Sequence, residues 1–147
     1  FDHAFRGMDA LEAASRASGR KIVTLQWSKE DILDVFASQF REGADLQFMD
    51  FAANPVWQQS ISVVMADDVL VDGRNVGISS GRVFSFFYKA MISLALLEAD
   101  YSAPGAQVEV LWGDIGSRQK KIRATVTHFP FLDVPFNSDI DVKKLPE

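Results

Sequence analysis

The sequence predicts a mainly β fold of the α+β kind, with one or two short helices ahead of a barrel or sandwich, and three observations carry that prediction. From Ser60 onward, apolar and β-branched residues form six short runs: Ser60 to Ala66, Val69 to Val71, Val76 to Ser80, Met91 to Leu97, Gln107 to Trp112 and Ile122 to His128. Turn chemistry separates several of them, at Asp72-Gly73, Pro104-Gly105 and Gly113 to Gly116. Helical spacing of apolar residues is confined to the first forty residues.

Taken in order, Phe5, Met8, Ala10, Leu11 and Ala14 recur at mostly helical spacing, and Ser15 to Gly19 ends the pattern, which predicts a short lead-in helix. Lys21 to Trp27 alternates instead, with Val23, Leu25 and Trp27 on one face of a strand and Thr24 and Gln26 on the other. Ser28 suits a helix N-cap, Glu30 and Asp31 suit the positive end of the dipole, and Ile32, Val35, Phe36 and Phe40 share a face, so Lys29 to Phe40 is the clearest helix, ending near Gly43. Asn54-Pro55 marks a turn in a connection of mixed polarity. Asp72-Gly73 is a hairpin signal, because such turns need positive φ. Ala90 to Ala99 is too short to span a bilayer and carries Ser93 and Glu98, so it reads as a buried strand.

Composition narrows the function classes. The chain of 147 residues is one domain's worth, with 48% hydrophobic and 24% charged residues, the balance of a globular protein. A net charge of −5 without a basic stripe argues against nucleic acid, and the lack of a long apolar run argues against a membrane. The basic cluster Arg118, Lys120, Lys121 and Arg123 reads as a solvated hairpin loop rather than an anion site. The absence of cysteine excludes disulfides and thiolate metal sites and fits a cytoplasmic protein. With Phe1 first and no signal-peptide pattern, the chain reads as a piece of something longer.

Candidate chemistry is sparse. Gly77-Ile78-Ser79-Ser80-Gly81 fits a nucleophile elbow with Ser79 as nucleophile and His128 as base, but an elbow needs a strand turning into a helix on a large parallel sheet. His3 and His128 lack zinc-ligand spacing. Asp67 and Asp68 would point to opposite faces of a strand, and the pair reads as a polar turn. Phe84, Phe86, Phe87 and Tyr88 could stack on a flat ligand, yet packing in a core or domain interface is the expectation, since the chain must place twelve phenylalanines.

The order of landmarks is more specific than any one of them. Phe5-Arg6-Gly7-Met8-Asp9-Ala10-Leu11, the hairpin Val71-Asp72-Gly73 to Ser79-Ser80-Gly81, the turn Ala103-Pro104-Gly105 before a Val-x-Val strand, and Pro130-Phe131 together resemble the C-terminal region of the glycine-cleavage T-protein family of folate-dependent aminomethyltransferases. Met8 stands where the family has arginine, and Ser79 where it has threonine. Phe36-Ala37-Ser38-Gln39-Phe40 and Val110-Leu111-Trp112-Gly113 are similar to the vanillate and syringate O-demethylase branch.

That resemblance implies a C-terminal antiparallel six-stranded β-barrel of the T-protein type, with residues 1–59 as a helix-containing lead-in that packs on it, 60–136 as the barrel and 137–147 as a tail. It implies tetrahydrofolate as cofactor, bound mainly by the protein's own N-terminal folate-binding domains, which are absent from this sequence, so the fragment would be inactive alone. The expected activity is methyl transfer from an aryl methyl ether to tetrahydrofolate, with aminomethyl transfer or a non-catalytic docking barrel as alternatives. No catalytic or metal residue is assigned. The single cofactor-binding candidate is Phe136, at the position of a family tyrosine that reaches the folate.

Overall fold

The computed structural model describes residues 5–17, 19–43, 46–49 and 66–132. Its elements are helix α1 (Met8–Ala17), strand β1 (Arg20–Trp27), helix α2 (Lys29–Ser38) and strands β2 (Ala66–Val71), β3 (Arg74–Ser85), β4 (Ala90–Glu98), β5 (Gln107–Trp112) and β6 (Lys120–Thr127). The six strands close into an antiparallel barrel in the order β1-β4-β3-β2-β5-β6. The expected strand Lys21 to Trp27 is therefore part of the barrel wall, pairing with both β4 and β6. Of the expected strand Ser60 to Ala66 only Ala66 is described, as the first residue of β2.

Alternation explains the wall. Val23, Leu25 and Trp27 of β1, Met91, Ala95 and Leu97 of β4, and Val108, Val110 and Trp112 of β5 all point inward and are buried. The β2–β3 hairpin turns at Asp72 and Gly73, with φ of 50° and 81°; positive φ at both central residues matches the turn to the twist of the strands. The Pro104-Gly105 turn is closed by an Ala106 N–H donating to the Ala103 carbonyl at 3.0 Å.

One end of the barrel, where β1, β3 and β5 finish, is plugged. Ser28 caps α2 by accepting from the Asp31 N–H at 3.3 Å, and α2 buries Ile32 and Val35 in the core. Asp31 accepts from the Arg123 backbone N–H at 2.8 Å and its guanidinium at 2.9 Å, which fixes the helix across β6. Both interactions hold the Asp31 carboxyl below its usual range, with Arg123 as the main cause. Leu46 and Met49 complete the plug, tied down by Trp112 Nε1 donating to the Gln47 carbonyl at 2.9 Å.

Among the described residues, one buried polar side-chain atom lacks a partner. Thr24 Oγ1 is buried with no hydrogen bond, and an unsatisfied buried hydroxyl costs about 1–3 kcal/mol. Thr24→Val is expected to raise unfolding stability by about 1 kcal/mol, measured by urea denaturation; a loss of that size would show that the hydroxyl is satisfied in solution.

Candidate functional site

The plugged end also holds the chain's unusual polar chemistry, and a glycine puts it there. β3 carries one extra residue against β4: Ser80 pairs with Leu94 and Val83 with Ile92, so Gly81 and Arg82 together face Ser93. Gly81 has φ of +63°, the left-handed conformation of a glycine bulge. The bulge reverses the alternation, so Arg82, which simple alternation from Ser79 would send outward, turns into the barrel and is 6% exposed.

Inside, the Arg82 guanidinium lies 4.8 Å from the centroid of the Trp112 ring and 5.9 Å from that of Trp27. The two indoles meet edge to face, with centroids 6.1 Å apart. Arg82 also approaches the Met91 sulfur at 3.6 Å. Below it, Trp27 Nε1 donates to Ser93 Oγ at 2.9 Å, and Ser93 shares a 2.8 Å hydrogen bond with Ser79 Oγ.

Asp67 completes the group. It lies in β2 two residues before the buried Val69 and so faces the same interior, whereas Asp68 is exposed. Burial pushes the Asp67 carboxyl up to about 6, against the pull of Arg82, with smaller contributions from Asp114 and Asp68. A carboxyl that titrates near neutrality beside a stacked guanidinium can hold or release a proton, which makes this end of the barrel the candidate site.

The structure settles most of the other sequence candidates. Ser79 is buried and bonded to Ser93, and β3 runs on past it as a strand, so no elbow forms. His128 is exposed beyond the far end of β6, while Ser79 points into the barrel. His3 and Phe136 lie outside the described residues.

Two expectations need correcting, and a third divides. Asp67 and Asp68 lie in a strand, not a turn, because β2 begins at Ala66 and pairs Asp67 with Ser79. Lys120, Lys121 and Arg123 lie in β6, not in a loop, and each has a carboxylate partner, at 2.6 Å in Asp34, 2.9 Å in Glu109 and 2.9 Å in Asp31. The aromatic run, expected in a core or a domain interface, divides: Phe84 packs against the core, while Phe86, Phe87 and Tyr88 form the exposed tip of the β3–β4 hairpin, because the strands end at Ser85 and resume at Ala90. There Phe84 meets Phe86 edge to face at 5.1 Å, and Tyr88 meets Phe87 at 4.9 Å and Phe131 at 5.0 Å.

Two open grooves lie on the β5–β6 side, one lined by Gln26, Ser28, Gln107 and Arg123 and the other by Leu70, Asp72, Glu109 and Lys121; neither includes Asp67 or Arg82. Among the described residues, no group of His, Cys, Asp or Glu is placed to hold a metal, and no helix is long and apolar enough to cross a membrane.

A closed antiparallel barrel with a filled interior and an aromatic hairpin at its plugged end defines a six-stranded β-barrel domain. The family model for the glycine cleavage T-protein C-terminal barrel domain matches residues 56–133, and the chain belongs to that family. Among curated relatives, sesamin methylene transferase from Sinomonas sp. (strain No.22) is 38% identical over 152 residues, covering 99% of this chain and 33% of the relative. Syringate O-demethylase from Sphingobium sp. (strain NBRC 103272 / SYK-6) is 31% identical over 144 residues, covering 91% of this chain and 30% of the relative. The chain spans about a third of the length of these relatives. The family resemblance read from the landmarks and the likeness to the demethylase branch both hold.

Proposed function

We propose that this barrel is the C-terminal domain of a tetrahydrofolate-dependent one-carbon transferase that takes a methyl or methylene carbon from an aryl ether. The observation that carries this reading is similarity along 99% of the chain to a methylene transferase and along 91% to an O-demethylase. Aminomethyl transfer has less support, since neither of those relatives is named for it. In this reading the protein is cytoplasmic and the barrel is inactive alone.

The described residues do not by themselves suit a pterin. Burial raises the Asp67 carboxyl, but Arg82, Trp27 and Trp112 at the same end are buried against one another. The folate is therefore assigned to N-terminal domains of the longer protein, with Phe136 offering at most a stacking face beside it.

Calorimetry with tetrahydrofolate on this chain and on a protein extended through the upstream reading frame tests the proposal. Binding by the longer protein alone is the expected result. Binding by the 147-residue chain would move the cofactor site onto the barrel, and binding by neither would leave a docking barrel as the better account.

A further inference from the structure

The barrel wall has two unlike outer faces. Across β1, β4 and β3 the outward positions align in three rows: Ile22, Leu96 and Ile78; Thr24, Leu94 and Ser80; Gln26, Ile92 and Val83. None of these residues is charged; Ile22, Leu94 and Ile78 are 57%, 47% and 42% exposed, while Thr24 in the middle row is buried. At the end of this face stands the hairpin tip, with Phe86 69% and Phe87 86% exposed. The opposite wall carries Asp68, Glu109, Lys121 and Arg123 outward, with Lys121 paired to Glu109 and Arg123 to Asp31.

We propose that the β1–β4–β3 outer face and its aromatic hairpin dock against the upstream part of the same polypeptide. This rests on the reading of the chain as a C-terminal domain and adds which surface makes the contact. An uncharged, largely apolar strip on one side of a domain whose other side is ion-paired marks an interface rather than a solvated wall. The relatives point to the occupant: an alignment covering 99% of this chain covers only 33% of one relative, so about two thirds of such a protein lies elsewhere in the chain. A partner tethered in the same polypeptide is present at high effective concentration, which lets an apolar face stay covered without an oligomer. The hairpin tip projects beyond the strands and extends the same face.

The test uses the longer protein carrying the upstream reading frame. In the double variant Ile78→Glu with Leu94→Glu, limited proteolysis is expected to release a barrel-sized fragment about tenfold faster or more, because two charges would have to be buried at the contact. Far-UV circular dichroism should be unchanged. The charge swap Glu109→Lys with Lys121→Glu on the other wall should be cut at the parent rate. Ile78→Thr with Leu94→Thr supplies a milder pair with an intermediate rate should the glutamates disturb folding. Cleavage of both apolar-face pairs at the parent rate would overturn the assignment. So would a concentration-dependent dimer of the longer protein that the glutamate pair dissociates, since the face would then join two copies. Folate binding is measured separately on the unsubstituted longer protein, so loss of the transferase reading leaves the cleavage result to be judged independently.

Discussion

Replacing Gly77 with alanine is expected to lower the stability of the barrel by about 3 kcal/mol, near the upper end for forcing extra volume into a packed site. Gly77 sits in β3 between Val69 of β2 and Leu97 of β4. A Cβ there would stand 2.9 Å from Leu97 Cα and 2.8 Å from its Cδ2, with the Leu96 carbonyl oxygen nearer still. The Cδ2 can rotate aside, but the carbonyl and Cα belong to the ladder that joins β3 to β4 in the closed barrel, so relief requires the strands to part. Gly73→Ala makes the useful comparison. Gly73 has φ of +81° but open space around it, so alanine there meets backbone strain alone, about 1–2 kcal/mol. Urea unfolding of both variants should rank Gly77→Ala as clearly the more damaging. Equal losses would sink the close-approach account and leave only a general aversion of strands to changes at glycine.

Gly77 and Gly81 also show how far the sequence could be read. Period-two alternation made β1 and the buried β4 visible, Asp72-Gly73 announced its hairpin, and Ser28 announced α2, because each signal lies within a few residues of the structure it specifies. The partners of β1 were not visible: it joins β4 about seventy positions away and β6 about a hundred away, contacts that no local pattern encodes. Arg82 was missed for a related reason. Alternation counted from Ser79 sends it outward, and only the bulge at Gly81 turns it in. A glycine inside a long strand pattern is the signal that could have found it. Ser80-Gly81 was read as a family landmark without its physical meaning, which is to carry an arginine into the barrel. For the aromatic run, counting phenylalanines left core and domain interface as alternatives, and only the chain's path separates them: Phe84 packs on the core while Phe86 and Phe87 are exposed at the hairpin tip.

Asp67→Asn is expected to stabilise the protein at pH 7–8 by about 2 kcal/mol and to flatten its stability between pH 4 and 6. The folded-state carboxyl is raised from 3.8 to about 6, chiefly by burial. Between those values the folded state holds more protons than the unfolded chain, so this group makes stability fall as pH rises toward 6 and leaves the full penalty in place above it. Asp31 and Asp34 act in the opposite direction: their lowered carboxyls contribute stability that is lost as the pH falls below the ordinary carboxylate range. Unfolding free energy should therefore peak between the two windows in the parent, and the asparagine variant should lose the decline on the alkaline side of that peak while keeping the acid one. Arg82 retains its two indole faces in the variant, so its burial does not depend on Asp67. A variant less stable than the parent at pH 8 would mean that Asp67 and Arg82 hold each other as an ion pair. A stabilised variant would identify a charge kept at the plugged end of the barrel at a cost to folding, which is the mark of a residue retained for what the site does.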